Sequence, residues 1–189
     1  MQIVFAKGMS EKGELVQDRQ PHLGRFRSIK RQTLHLTAAL IAVSMMLPAA
    51  TYQHKECGLS LWLPDDWKVD AEESRLSASP MDDEATLQLT ALQDVASLDA
   101  AWNRCTAILK KVITAYRETQ TRRDSSINGM KGIAAGGEGI LRGAKNSIRV
   151  IVFKGPKGFV LLMWFVNAQR GERYQASYDR IIHNIKPTP

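Results

Sequence analysis

The side chains in this sequence with the most chemistry to offer are few and poorly grouped. Beyond residue 50 there are two histidines, His54 and His183, and two cysteines, Cys57 and Cys105. No HExxH spacing joins the histidines into a zinc or general-base site. No serine lies in a G-x-S-x-G elbow, and the closeness of His54 to Cys57 reads as a mobile terminus rather than a nucleophile beside its base. The stretch Gly136-Gly137-Glu138-Gly139-Ile140-Leu141-Arg142-Gly143-Ala144-Lys145-Asn146-Ser147 has the composition of a phosphate loop but not its spacing. A Walker loop needs Gly-Lys-Ser or Gly-Lys-Thr contiguous at a helix N-terminus, so that N–H groups and the ammonium converge on phosphate. Here Gly143 and Lys145 are separated and a strand follows, so the glycines mark a bulged or closely approached strand. The acidic runs Asp65-Asp66 and Asp82-Asp83-Glu84 lack the alternation of a calcium loop and read as solvated turns. No catalytic residue, metal or cofactor is called for by these patterns.

Two further side-chain readings stay open. Cys57 and Cys105 can form a disulfide in an oxidising compartment, closing a loop worth about 4 kcal/mol in the chain-entropy model. Alternatively, Cys105 is a small core hydrophobe on the apolar stripe of a helix. Trp62 alternates out of phase with Leu59, Leu61 and Leu63, which makes it either a contact for a partner or a side chain buried under a helix.

The chain has 189 residues, 44% of them apolar, and 26 Lys plus Arg against 19 Asp plus Glu give a net charge of +7. That composition is globular and excludes collagen-like and low-complexity architectures. Arg25, Arg27, Lys30 and Arg31 precede the fourteen-residue apolar run Leu34 to Leu47, followed by Pro48-Ala49-Ala50. Basic, apolar and small in that order is the grammar of an export signal, and the run is short of the ~18 residues a membrane span wants. Residues 1–50 are thus expected to be a signal peptide, with an N-terminal anchor through residues 34–47 as the alternative. Residues 51–189 then form one domain, periplasmic or secreted. That part carries 19 basic and 16 acidic side chains, too even a balance for nucleic acid without a reading element. Its charges are uneven along the chain, −8 over residues 51–99 and +11 over residues 100–189. The halves are expected to interleave in space and neutralise each other; a segregated arrangement would leave a dipolar surface for a partner or anionic lipid.

Hydrophobic periodicity gives the elements. Leu59, Leu61 and Leu63 alternate as a half-buried strand stopped by Pro64-Asp65-Asp66; Trp67 and Val69 resume it, and strands follow over residues 75–79 and 85–94. Ser97 is an N-cap, with Asp99 in the first turn. Leu98, Ala101, Trp102, Cys105, Ile108, Leu109, Val112, Ile113 and Tyr116 recur at three and four, predicting a helix packed on a sheet. Residues 119–127 are extended and end in an Asn128-Gly129 turn. Strands over 131–142, 147–154 and 159–166 follow, the last apolar on both faces and therefore covered on both. Tyr174, Tyr178, Ile181, Ile182 and Ile185 predict a closing helix ended by Pro187.

Certain segments, taken in order, resemble a known family: Gly58-Leu59-Ser60-Leu61-Trp62-Leu63-Pro64-Asp65-Asp66-Trp67, Ser97-Leu98-Asp99-Ala100-Ala101, Ile127-Asn128-Gly129-Met130-Lys131-Gly132, and Ile182-His183-Asn184-Ile185-Lys186. From Cys57 to Pro187 the chain is similar to the PsbP-like superfamily, which includes bacterial DcrB-related exported domains. The resemblance implies an α+β fold, an antiparallel β-sheet sandwiched between helices. It also implies accessory or assembly roles, as in photosystem II on the lumen side, with the Ran GTPase, and at the bacterial envelope. Function is therefore expected to be that of an exported, non-enzymatic accessory or protein-binding domain, its partner an envelope protein or lipid. The alternative is a small-ligand or lipid-binding domain with a pocket between sheet and helix.

Overall fold

The computed structural model describes residues 50–188; the expected export signal falls almost wholly outside them. The chain runs through β1 (Ala50–His54), β2 (Leu59–Leu63), β3 (Trp67–Ala71), β4 (Arg75–Pro80), β5 (Ala85–Leu92), α1 (Leu98–Val112), β6 (Thr114–Ile127), β7 (Met130–Leu141), β8 (Ala144–Gly155), β9 (Gly158–Asn167), α2 (Gly171–His183) and β10 (Lys186–Pro187). Seven strands make one antiparallel sheet in the order β3-β4-β5-β9-β8-β7-β6, and β1-β2-β10 make a second, three-stranded sheet.

Side chains alternate across the large sheet and divide the core in two. On one face Ile148, Val150, Val152, Leu161, Met163 and Phe165 pack against Ala101, Cys105 and Leu109 of α1. On the other, Phe153, Val160, Leu162 and Trp164 meet Leu59, Leu61 and Leu63 of β2 and Tyr174, Tyr178 and Ile181 of α2. The strand β9 is apolar on both sides because it lies between these two clusters.

The expected sheet sandwiched between helices is corrected here. The fold is mostly β, with two helices among the described residues, and the layer opposite α1 is built largely from the second sheet. The cause is the segment before Cys57, expected to be a loose terminus. Its residues Ala50–His54 pair along the whole of β2, while Lys186 and Pro187 pair with β2 from the other side. A three-stranded layer results, whose leucines face the large sheet, each contributing about 1.5–3 kcal/mol by burial.

The start of α1 is as expected, with Ser97 Oγ accepting the Ala100 N–H at 3.1 Å. Its end is earlier. The β-branched run from Val112 turns extended at Ile113 (φ −111, ψ 121), so Tyr116 reaches the same cluster from β6 instead of from the helix. The Asn128-Gly129 turn also fixes α2: with Asn128 at φ 47, its side-chain amide donates at 3.1 Å to the carbonyl of His183, left without a helical partner at the C-terminus, and at 2.6 Å to that of Ile185 just beyond the helix.

The charge halves do not interleave across the large sheet as expected. Strands from the acidic half, β3, β4 and β5, form one side of it and those from the basic half the other. Among the described residues, the ion pairs joining the halves are Arg173 with Asp82 and Arg122 with Asp99.

Candidate functional site

The cover over the large sheet is narrower than the sheet. Opposite α1, the three-stranded layer lies over the β3 to β9 side and α2 crosses β8 to reach the β6–β7 turn, where Asn128 holds its end; among the described residues the rest of the β6 and β7 surface is left open beside α2. Cross-strand register says which side chains face it, because paired residues share a face. Arg149 of β8 pairs with Gly136 of β7, and Gly136 with Gln120 of β6; Ile151 pairs with Ala134, and Ala134 with Arg123. Small residues at Ala134 and Gly136 keep the middle of this face low, while Gln120 and Arg123 rise from β6 on one side and α2 stands on the other.

Arg149 is half-buried at the centre. Its guanidinium lies 4.9 Å from the Tyr178 ring and donates to Gln175 Oε1 at 2.6 Å, both on α2. Tyr178 in turn packs on Trp164 (5.2 Å between centroids), which stacks on Trp67 at 5.9 Å. A ladder of aromatic rings thus runs from the core to one fixed cation at the edge of the open surface. Burial raises the Tyr178 hydroxyl pKa above its ordinary value, against the opposing pull of Arg149, so the ring stays neutral beneath the guanidinium. One cleft of about 300 Å³ adjoins Arg149 on the β6 side, lined by Gln120, Arg123, Ser125 and Tyr178. Another, of about 820 Å³, adjoins it toward the start of α2, lined by Ser147, Arg170, Arg173 and Gln175. Next to them Glu138 is held by Lys145 at 2.9 Å and Arg117 at 3.4 Å, and the Lys145 ammonium keeps its carboxyl below the usual carboxylate range. This surface can fix anionic groups; nothing on it is arranged as nucleophile and base.

The residues singled out from sequence are dispersed. Trp62 is half-buried, with the Arg180 guanidinium 4.0 Å above its ring, and its indole N–H finds no partner among the described residues. Cys57 and Cys105 are free. The disulfide open to them is not formed, because Cys57 belongs to the cluster under β2 and Cys105 to the cluster under α1, with the sheet between. Burial pushes both thiols up to about 12, which removes the thiolate a nucleophile needs. His54 is not on a mobile terminus: it is 3% exposed in β1 and its Nδ1 accepts the Cys57 N–H at 3.3 Å. Burial lowers its pKa, partly opposed by Glu56 and the carbonyls of His54 and Ser74. It borders a cleft of about 480 Å³ between the β1–β2 and β3–β4 turns, with Glu56, Glu72, Glu73 and Lys157. His183 has Asp179 one helical turn before it, but its Nδ1 lies 2.6 Å from the Asp179 carbonyl, and the carboxylate takes Gln175 Nε2 at 2.7 Å. Among the described residues no three His, Cys, Asp or Glu side chains converge as metal ligands, and no helix is long and apolar enough to cross a membrane.

The glycine stretch has the close approaches its composition implied, on the α1 face. A side chain at Gly137 would meet the Tyr116 ring at 2.5 Å, and one at Gly139 would meet Ile113. Sequence reading missed Arg149 and Arg123. The available signal was Arg149 itself, a lone cation in the apolar run Ile148 to Phe153.

No family model and no curated protein matches this sequence. Solved structures do resemble the fold. That of cyanobacterial PsbP (CyanoP) from Synechocystis aligns with a TM-score of 0.55 at 7% identity, covering 74% of this chain and 92% of that one. PA94, a Pseudomonas aeruginosa protein of unknown function, gives 0.48 at 14%, covering 75% and 98%. LpqN of Mycobacterium tuberculosis, involved in cell envelope biogenesis, gives 0.47 at 14%, covering 75% and 91%. At such identities the likeness to CyanoP establishes a PsbP-like fold and nothing about activity.

Proposed function

We propose that this chain is an exported, non-enzymatic accessory domain of the cell envelope, allied to the DcrB-related branch of the PsbP-like proteins, that works by holding a protein partner. The observation that carries this reading is the open face beside α2. The core is filled on both sides of the large sheet, while this surface keeps a pre-positioned arginine and, among the described residues, nothing that covers it. Recognition surfaces gain when the contacting side chain is already held in its bound rotamer, and Arg149 is held by Tyr178 and Gln175. Export is argued from the basic, apolar and small order of residues 25–50.

The second reading, a small-ligand or lipid domain, has the clefts beside α2 in its favour. Their lining of Arg149, Arg123, Gln120 and Ser147 suits charged groups rather than acyl chains, which want an apolar pocket. The test is intact mass of the protein recovered from the envelope fraction of its native cell. A mass corresponding to a start near residue 51 supports export and the accessory role that depends on it. A full-length chain in the cytoplasmic fraction removes both.

A further inference from the structure

The charge and shape of the open face point to the chemistry of its occupant. Arg123 and Arg149 lie on one face of the sheet, joined through the pairs Arg123 to Ala134 to Ile151 and Gln120 to Gly136 to Arg149. Among the described residues neither has a carboxylate within ion-pair distance, although six other Lys and Arg side chains do. Three carboxylates near the trough are already engaged, Glu138 by Lys145 and Arg117, Asp179 by Gln175, and Asp82 by Arg173; Glu172 lines the cleft toward the start of α2, away from Arg123. Resting on the partner-binding reading above, we infer that this trough takes an extended acidic segment of a protein partner, with carboxylates of the segment set against Arg149 and Arg123.

Three features favour this occupant. A guanidinium is a planar fork matched to a carboxylate, with five N–H donors, and the hydrogen bond to Gln175 accounts for one of those of Arg149. The trough is low at Ala134, where the strand offers only a methyl and a backbone can lie close, while Gly136 lets the Gln120 side chain lie flat over the strand beside it. It is also recessed beside α2. A flat anionic membrane could touch the exposed Arg123 but would not reach the half-buried Arg149, whereas a chain laid along the trough meets both.

The test uses the mature chain, labelled with 15N and titrated with a deca-glutamate peptide at low salt, then separately with phosphatidylglycerol vesicles. The expected result is saturable peptide binding with shifts confined to the amides of β6, β7, β8 and the first half of α2. Arg149→Met is expected to weaken it, but that change also disturbs packing on Tyr178. The deciding variant is therefore the exposed Arg123→Glu, which should weaken binding at least about tenfold, while Lys111→Glu on α1, across the sheet, changes it less than about twofold. The inference is overturned by shifts scattered over the whole surface, by equal losses in the Arg123 and Lys111 variants, or by vesicles binding where the peptide does not. The partner-binding reading fails on a different result: a trough that forms no discrete adduct with any protein in the native cell. An adduct there without peptide binding would leave that reading standing and remove the acidic chemistry alone.

Discussion

Gly136 and Gly137 are neighbours in sequence with opposite surroundings, and replacing each by alanine separates the open face from the closed one. At Gly137 the added Cβ stands 2.5 Å from Tyr116 Cε2, 2.7 Å from Tyr116 Cζ and 2.7 Å from the Arg117 carbonyl. The ring is packed in the α1 cluster and the carbonyl belongs to the backbone, so neither moves freely, and overpacking of this kind costs about 1–3 kcal/mol. At Gly136 the nearest atoms are the Gln120 amide oxygen at 3.0 Å, its carbon at 3.1 Å and the Gln120 Cβ at 3.3 Å; the first two end a side chain on the exposed edge strand that can swing away, and the Cβ asks only a few tenths of an ångström of that strand. Loss of chain entropy in the unfolded state favours alanine there by about 0.4–1 kcal/mol, leaving Gly136→Ala near neutral. At about 4 °C per kcal/mol for a domain of this size, thermal unfolding should fall by about 4–12 °C for Gly137→Ala and move by less than about 3 °C for Gly136→Ala. A slip of one residue in β7 exchanges the two faces. Equal costs, or the reverse order, would therefore refute the register on which the trough depends.

Other expectations follow from the same contacts. Leu61→Ala removes a fully buried side chain from between the two sheets and should cost about 2–5 kcal/mol in urea unfolding; a loss under about 1 kcal/mol would mean the small sheet is not packed on the large one. His54 has a folded-state pKa below 6.5, so the unfolded chain takes up a proton near pH 6.5 while the folded chain does not, and stability should fall as pH drops below that value. The urea midpoint compared at pH 7.5 and 5.5 should move less in His54→Gln than in the unsubstituted protein; identical shifts would remove this role. With Cys57 and Cys105 free and both thiols near 12, the native protein should resist alkylation, yet add two labels in denaturant without prior reduction. Two labels appearing only after reduction would restore the disulfide.

What could be read from the residues was local. Ser97 and Asp99 announce the start of α1, and Asn128-Gly129 and Gly155 to Gly158 announce hairpins, because caps and turns are set by a few adjacent residues. The apolar run of β9 correctly implied burial on both faces. Tyr116 misled because its spacing continues the helical stripe, and only the extended turn at Ile113 moves it into a strand where it meets the same cluster. The second sheet was hidden because Ala50–His54 shows no strong alternation and the strand on the other side of β2, β10, has two residues; both are strands by virtue of pairing with β2. The trough was hidden for a related reason. Arg123 and Arg149 become neighbours through the register of three strands, and no spacing along the chain encodes that they share a face left uncovered by the described residues.

On the proposed function, a partner is held at the open face beside α2. A photo-crosslinking residue placed at Gln120, in the trough, and separately at Lys111, on α1, tests it directly in the native cell. A discrete adduct with one protein from position 120, absent from position 111 and lost on adding Arg123→Glu, is the predicted result. No adduct from position 120, or the same adducts from both positions, would contradict it.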